Sequence, residues 1–488
     1  MPSNDQRLID QVCPEGWRNP DPAPLYDLVV IGGGTAGLVS AAGAAGLGAR
    51  VAIIERHRLG GDCLNTGCVP SKSLLRAARA VHDARTAAAA GVTLSARVDF
   101  GAVMESVRSR RAELAHHDSA ERLAALGAHV FFGDGSFAGP STVTVGGRAL
   151  KFRRAVIATG GRPVVPPIAG LQDLPFLTSE SVFELREQPR SLLVLGGGPI
   201  GCELAQAFAL LGTEVTLVET RPRLLPEEDA DAAAIVARRL EEDGVHVLTG
   251  ATVQRFTPAS TSFTAEVDGR GVVVAAVLIA TGRVPNIERL NLVAAGVTAT
   301  GRGVAVDDWL RTSNRRVYAA GDVCSPYQFT HAADAMARIV IQNALFFGRR
   351  RASALVIPWA TYTFPEVAHV GPPVEQLPTA GTEQVTIPLA EVDRAVIDAA
   401  TPGFLKVHHN RGRILAATLV APHAGELIGQ IASLMRRGGS LADFSSEIYP
   451  YPTMADALRK AGDAYRRTRL TPGVRSALRR YFALIRRG

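Results

Sequence analysis

Residues 27–37 read DLVVIGGGTAG, an apolar run that passes straight into a glycine loop. An Ala/Gly-rich stretch follows, and then a second apolar run, VAIIE, ending at Glu55. This order predicts a buried parallel strand, a helix and a second strand, with Gly32, Gly34 and Gly37 in G-x-G-x-x-G spacing. The glycines permit a tight turn and let backbone N–H groups approach a pyrophosphate at the helix N-terminus, where the dipole favours anions. Glu55 is placed to accept hydrogen bonds from a ribose. A glycine pattern alone is a weak signal. Flanked by two strands and closed by an acid, it specifies a dinucleotide loop.

The pattern returns over residues 191–219, as SLLVLGGGPIG, a helical stretch and EVTLVE. Gly196, Gly198 and Gly201 fill the glycine positions and Glu219 is the closing acid. Two such units imply two dinucleotides, the sign of an enzyme that passes electrons from one nucleotide to the other. A carboxylate at the ribose suits a free 2′-hydroxyl and repels a 2′-phosphate, which favours NADH over NADPH. Arg221 and Arg223 follow closely and offer the alternative of holding a phosphate. Two near-duplicates bracket the second unit, AVIATGGRP (155–163) and VLIATGRVPN (277–286), each a return point between nucleotide domains. RVYAAGDVC (316–324) gives a strand ending at Gly321 and Asp322, where a carboxylate can bond ribityl hydroxyls.

A chain of 488 residues has room for roughly three domains. With 47% hydrophobic and 20% charged residues it reads as soluble and globular, and its five cysteines without a signal peptide point to a cytoplasmic location. It contains no uninterrupted apolar run of transmembrane length. Residues 1–24 are polar and Pro-containing and lack the apolar centre of a secretory signal, so they are expected to be a mobile extension. The net charge of +7 is concentrated in the arginine-rich C-terminal stretch. No basic stripe interleaved with aromatics appears elsewhere, which excludes a nucleic-acid partner.

Five cysteines in such a chain point to a reducing compartment. Two of them, Cys63 and Cys68, lie in GGDCLNTGCVPSK (60–72). From here the ordered motifs resemble the FAD-dependent pyridine nucleotide–disulfide oxidoreductases, which include dihydrolipoamide dehydrogenase, glutathione reductase and mercuric reductase. The resemblance spans roughly residues 25–470. It rests on the first glycine loop, GGDCLNTGCVPSK, ATG, the second glycine loop, ATGRVPN, AAGDV and the terminal segment.

That resemblance implies an α/β fold with two Rossmann-like domains and a C-terminal α+β dimerisation domain. The implied layout is a mobile extension over 1–24, an FAD domain in two parts (25–162 and 283–347), an NAD(P) domain (163–282), a dimerisation domain (348–470) and a basic amphipathic tail (471–488). FAD would be held by Gly32, Gly34, Gly37, Glu55, Gly61, Lys72, Thr159, Gly160, Gly321 and Asp322. NAD(P)H would be held by Gly196, Gly198, Gly201, Glu219 and Gly282. The expected assembly is a homodimer whose acceptor is a small molecule or a metal ion.

The cysteine pair also has a physical reading. In a regular α-helix, residues five apart rise about 7.5 Å and lie about 140° apart in azimuth. A disulfide needs Cα atoms about 4.4–6.8 Å apart. If Cys63 and Cys68 bridge, the segment is not regular helix, and Gly67 supplies the freedom for a break. A closed zinc site wants four ligands, and only His57 lies near in sequence, so no metal site is assigned. By resemblance Cys63 is the interchange thiol and Cys68 the partner against the flavin, with Lys72 pairing to Glu203 near flavin N5. Cys202 and Cys324 read as small core residues and Cys13 as inert.

The terminal segment departs from the dehydrogenase pattern. Those enzymes carry His-Pro-Thr-x-x-Glu, whereas this chain has YPYPTMAD (449–456). Tyr451 falls at the histidine position, Asp456 at the glutamate position, and Tyr449 replaces a further histidine. A phenol of ordinary pKa near 10 is a poor proton shuttle at neutral pH, which argues against lipoamide and glutathione disulfide. Mercuric reductases carry tyrosine at that position, and QFTHAADAMARIVIQNALF and VDRAVIDAATPGFLKV resemble that branch. The chain lacks a vicinal cysteine pair after Cys324 and an N-terminal Cys-x-x-Cys domain, so mercury delivery as that enzyme performs it is not expected. The acceptors in view are a soft metal ion such as Hg(II), a small disulfide and a quinone. A non-turnover flavoprotein sensor or binding module is the reading from another class.

From Val474, apolar residues fall at Ala477, Leu478, Tyr481, Phe482 and Ile485, with arginines at 475, 479, 480, 486 and 487. The expectation is a terminal helix docked on its own protein or on the other subunit, with contact to a membrane surface as the rival reading.

Overall fold

In a computed structural model, which describes residues 2–259 and 262–486, the run Tyr26–Ile31 lies at the centre of a parallel sheet. It pairs with Val51–Glu55 on one side and with Arg148–Ile157 on the other. Ala128–Phe132 flanks the first of these and Val317–Ala319 the second, both in parallel. The strand is apolar without alternation because helices and loops cover both of its faces. The strand order reverses between Ile31 and Ile157, which opens a crevice at the carboxyl ends of the two strands. The second glycine unit repeats this plan. Ser191–Leu195 lies between Glu214–Glu219 and Ala276–Ile279, with Val245–Thr249 and Leu177–Thr178 outside them, all parallel.

The chain divides into two compact units, one of residues 1–88, 92–220 and 244–355 and the other of residues 89–91, 221–243 and 356–488. Both parallel sheets belong to the first. The second is built on a five-stranded antiparallel sheet in the order Pro358–Thr361, Glu366–Val370, Arg413–Ala421, Phe404–Asn410 and Glu383–Pro388. Helices Ala424–Arg436 and Asp456–Thr468 bury an apolar core that includes Leu405, Val407, Leu419, Ile428 and Leu458. Other strand positions of the same unit carry polar groups: Lys406 bonds Asp229 and Asp231 at 2.6–2.9 Å, and His369 meets Thr418 at 2.9 Å. Trp359 Nε1 donates to Glu228 Oε1 at 2.6 Å. The chain is α/β, with two Rossmann-like sheets followed by an α+β unit.

Two segments differ from expectation. Within the stretch expected to be a mobile extension, Asn4–Val12 forms a helix capped by Ser3, with Leu8 and Val12 buried in the core of the first unit, so this part is docked rather than mobile. Asp5 on this helix reaches the buried Arg111 (3.4 Å) and Arg186 (3.0 Å), so a stretch polar in composition still docks through two apolar side chains and one carboxylate. The helix Pro472–Ile485 does form, but none of its residues is buried, so it is not docked on its own chain.

Truncating Leu8 to alanine removes a fully buried side chain and is expected to destabilise the first unit by roughly 2–5 kcal/mol, read as a lower midpoint in denaturant. An unchanged midpoint would place the helix outside the cooperative core. In the second unit, burial raises the Glu228 carboxyl from 4.5 to about 7 despite its bond from Trp359. A carboxylate raised on folding opposes stability once ionised. The second unit should therefore lose up to about 3 kcal/mol as pH rises through that window, and Glu228→Gln should flatten the pH profile of its unfolding.

Candidate active site

Each glycine loop is fixed by one close approach. A Cβ on Gly37 would lie 1.8 Å from the carbonyl oxygen of Gly32, and one on Gly201 would lie 1.8 Å from that of Gly196. Gly32 and Gly196 have φ +109° and +107°, and their pro-Cβ positions fall 2.3 and 2.4 Å from the carbonyls of Ala158 and Ala280. These alanines open the two ATG repeats, so the repeats are the strand ends against which the loops are pressed. The closing acids brace the same loops. Gly33 N–H donates to Glu55 Oε2 at 2.6 Å, and Gly197 N–H donates to Glu219 Oε2 at 2.7 Å. Burial pushes the Glu55 carboxyl above the usual carboxylate range.

The helices that follow, Thr35–Gly46 and Pro199–Leu210, start at Gly34 and Gly198 without a side-chain cap. Their first-turn N–H groups thus face the loop, where an anion satisfies them. Glycine loop, uncapped helix and terminal acid together fit an adenine dinucleotide at each loop.

The cysteine segment begins on the first loop, where a Cβ on Gly61 would come 2.5 Å from Gly34 Cα. Gly61–Asn65 forms one short helical turn, Thr66 and Gly67 break it, and Cys68–Thr86 resumes as a long helix. A Cβ on Gly67 would approach the Asp62 carbonyl at 2.9 Å, so the break needs glycine. The break brings Cys63 and Cys68 together, with the two side chains sharing a hydrogen bond. Cys68 is exposed, and that bond, with Thr330 and Lys72 in support, lowers its thiol to about 6. Cys63, as donor in the same bond and itself desolvated, is pushed up. The pair therefore carries its first negative charge on Cys68.

Lys72, one turn along the cysteine helix, places Nζ 2.7 Å from Glu203 Oε2, with the Glu203 side chain buried. Asp62, just before Cys63, pairs with Arg283, which lies 3.6 Å from Asp322 and donates to the Gly161 carbonyl at 2.8 Å. Burial raises Asp322, and Arg283 opposes that shift. Thr159 Oγ1 donates to the Asn286 carbonyl (2.7 Å), and Asn286 Nδ2 returns a bond to the Thr159 carbonyl (3.0 Å). Asn286 N–H also donates to the Gly160 carbonyl at 2.9 Å, while Gly282 accepts from Val164 N–H. Gly321 precedes Asp322 at the end of Val317–Ala319, at φ +81°.

In the second unit, Tyr451 and Asp456 do not pair. Tyr451 is exposed and donates to Asp393 at 2.7 Å, which raises its phenol above the ordinary value. Asp456 is buried and held by Arg459 at 2.7 Å and Lys460 at 3.5 Å. The Tyr449 phenol is likewise raised, by burial and by its bond to Glu447. Cys202 is fully buried and donates to the Gly197 carbonyl, and burial raises Cys324 to about 12. Among the described residues no cluster of His, Cys, Asp and Glu could hold a metal ion.

Sequence reasoning missed three groups around the cysteines. Thr330, the first residue of helix Thr330–Leu345, sits 3.2 Å from Cys68 Sγ. Its only trace was the stretch QFTHAADAM. The Asp62–Arg283 pair was hidden because its members are 221 residues apart. Arg111, buried on helix Phe100–Leu114, donates to the Asn65 carbonyl inside the cysteine turn at 2.9 Å.

Residues 26–337 match the family Pyridine nucleotide-disulphide oxidoreductase, and residues 357–462 match its dimerisation domain. A mercuric reductase from Bacillus cereus is 36% identical over 446 residues, covering 89% of this chain and 71% of that one. A dihydrolipoyl dehydrogenase from Thermus scotoductus is 33% identical, covering 90% and 97%. A Cu(II) complex of the HOCl-induced flavoprotein disulfide reductase RclA from Escherichia coli superposes with a TM-score of 0.81 at 30% identity, covering 89% and 98%. With two dinucleotide loops around one thiol pair, and relatives similar along nearly its whole length, the chain belongs to the pyridine nucleotide–disulphide oxidoreductase family of FAD-dependent enzymes.

Proposed function

We propose that the chain is a homodimeric NADH-dependent flavoenzyme that delivers electrons through Cys63 and Cys68 to a thiophilic metal ion, Hg(II) or copper. The observation that carries this reading is a thiol pair biased to the thiolate at Cys68 with no imidazole in the terminal segment. FAD would be held on the first loop, over 25–162 and 283–347, by Gly32, Gly34, Gly37, Glu55, Gly61, Lys72, Thr159, Gly160, Gly321 and Asp322. The nicotinamide nucleotide would be held on the second, over 163–282, by Gly196, Gly198, Gly201, Glu219 and Gly282. A flavin held on the first loop would supply two-electron chemistry between a reduced nicotinamide and the cysteine pair.

The residues of the chain do the rest. Lys72 and Glu203 balance each other beside the cysteine helix. Cys68 holds a thiolate at neutral pH, and Cys63 supplies the outer thiol that meets the acceptor. The balance is NADH + Hg²⁺ → NAD⁺ + H⁺ + Hg⁰, which delivers no proton to sulfur. An ordinary disulfide acceptor needs two protons on its leaving thiols, and Tyr451, tied to Asp393, is a poor source of them. NADH is preferred because Glu219 occupies the ribose position and Arg223 is committed to the carbonyls of Leu225, Pro226 and Glu228 at 2.7–3.1 Å.

Steady-state NADH and NADPH oxidation against Hg(II), Cu(II), lipoamide, glutathione disulfide and quinones tests the acceptor. The expected order puts the metal ions first, and faster turnover with lipoamide would overturn it. Cys63→Ser should reduce metal-ion turnover to background while NADH still bleaches the flavin. If acceptor reduction survives intact, the flavin works alone, as in a quinone-type reductase.

In the reduced enzyme, alkylation of Cys68 by iodoacetamide should follow a midpoint near 6. The reactive thiolate is present above that pH and lost as pH falls through it. Lys72→Met should move the midpoint up, because it removes a cation, and Glu203→Gln should move it down, because it removes an anion.

A further inference from the structure

The helix Pro472–Ile485 has no place in the reading above. It begins at a Thr471 cap with Pro472 in its first turn, so it is a built helix with a defined start. Yet every residue from Arg466 through Arg486 is exposed. At 3.6 residues per turn, Val474, Ala477, Leu478, Tyr481, Phe482, Leu484 and Ile485 share one arc of about 160°. Within that arc Tyr481, Phe482, Leu484 and Ile485 are 59, 50, 76 and 53% exposed. Arg475, Arg479, Arg480 and Arg486 occupy the rest of the circumference. No helix among the described residues is long and apolar enough to cross a membrane.

Charge decides what covers this face. Residues 466–488 hold eight arginines and no Asp or Glu, against a net charge of +7 for the whole chain. An apolar arc bordered only by arginine matches a surface that is apolar in depth and anionic at its boundary. A second copy is the weaker candidate, because it would bring eight further arginines to the contact. The match to the dimerisation domain also ends at residue 462, ahead of the helix.

We propose that the helix Pro472–Ile485 lies in the plane of an anionic lipid bilayer surface, with Leu478, Tyr481, Phe482 and Ile485 in the acyl boundary and the arginines on lipid phosphates. The proposal is independent of which acceptor the cysteines serve.

Co-sedimentation of the full-length holoenzyme with phosphatidylglycerol/phosphatidylcholine vesicles, beside pure phosphatidylcholine, tests it. Pelleting is expected only with the anionic lipid and should weaken as salt is raised. Arg479→Gln with Arg480→Gln should weaken binding about 25-fold, at roughly 5-fold per arginine. Leu478→Asp with Phe482→Asp should abolish it, while flavin content and NADH oxidation stay unchanged. Equal pelleting of wild type and both double variants, or no preference for anionic lipid, overturns the proposal. So does a fall in molar mass by light scattering for the aspartate variant, which would show that a second copy covers the face.

Discussion

The whole arrangement depends on the space a missing methyl leaves at Gly37. Because no Cβ stands there, the helix after the first loop can start in contact with the Gly32 carbonyl. The strand end, the loop and the helix axis then converge within a single turn. Glu55 reaches back to Gly33 only because that turn is tight. Gly61 nests on Gly34 only because the loop surface there is bare backbone. The cysteine turn is thereby anchored to the dinucleotide loop, so the distance between the two sites is set by backbone contact rather than by flexible side chains. The second loop reproduces the contact at Gly201 and Gly196, which is how one geometric solution serves two nucleotides in one chain.

On this scaffold the thiol pair is tuned by groups from distant parts of the sequence. Lys72 lowers the Cys68 thiol and Glu203 raises it, and the two are bonded to each other, so neither acts at full strength. The larger influence is the hydrogen bond from Cys63, supported by Thr330. A thiolate held mainly by a neighbouring thiol is sensitive to the redox state of that neighbour, because oxidation removes the bond that stabilises it. The charge on Cys68 is therefore a property of the reduced pair and is gated by the electrons the pair receives.

Much of this was legible in the sequence. Strands, loops and acids at 27–55 and 191–219 follow from local patterning, because an apolar run entering a glycine loop has few other solutions. The break between Cys63 and Cys68 was readable from Gly67, since helix geometry forbids a close pair five residues apart. The rest required long-range information. Nothing in NDQRLIDQV shows that Leu8 and Val12 enter the core, because two apolar residues in a polar nonamer are also what a solvated helix carries. Asp62 and Arg283 are each unremarkable locally, and only the fold makes them partners. Glu228 reads as one acid in an acidic run, and its burial against Trp359 depends on a strand 131 residues away.

The terminal segment shows how far a single substitution shapes the chemistry. An imaidazole at position 451 would titrate near neutrality and could both give and take a proton. The phenol there is bonded to Asp393, and the carboxylate raises its pKa further, which lowers its acidity without making it a useful base. Asp456, which could have oriented a histidine, is instead neutralised by Arg459 and Lys460. The segment thus holds two phenols tied to carboxylates and one paired carboxylate, and it contains no imidazole. Thiolates need no such group to bind a soft cation, whereas sulfur leaving as a thiol does. In the proposed function, the proton inventory of the terminal segment, more than the cysteine pair itself, is what favours an acceptor reduced without protonation at sulfur.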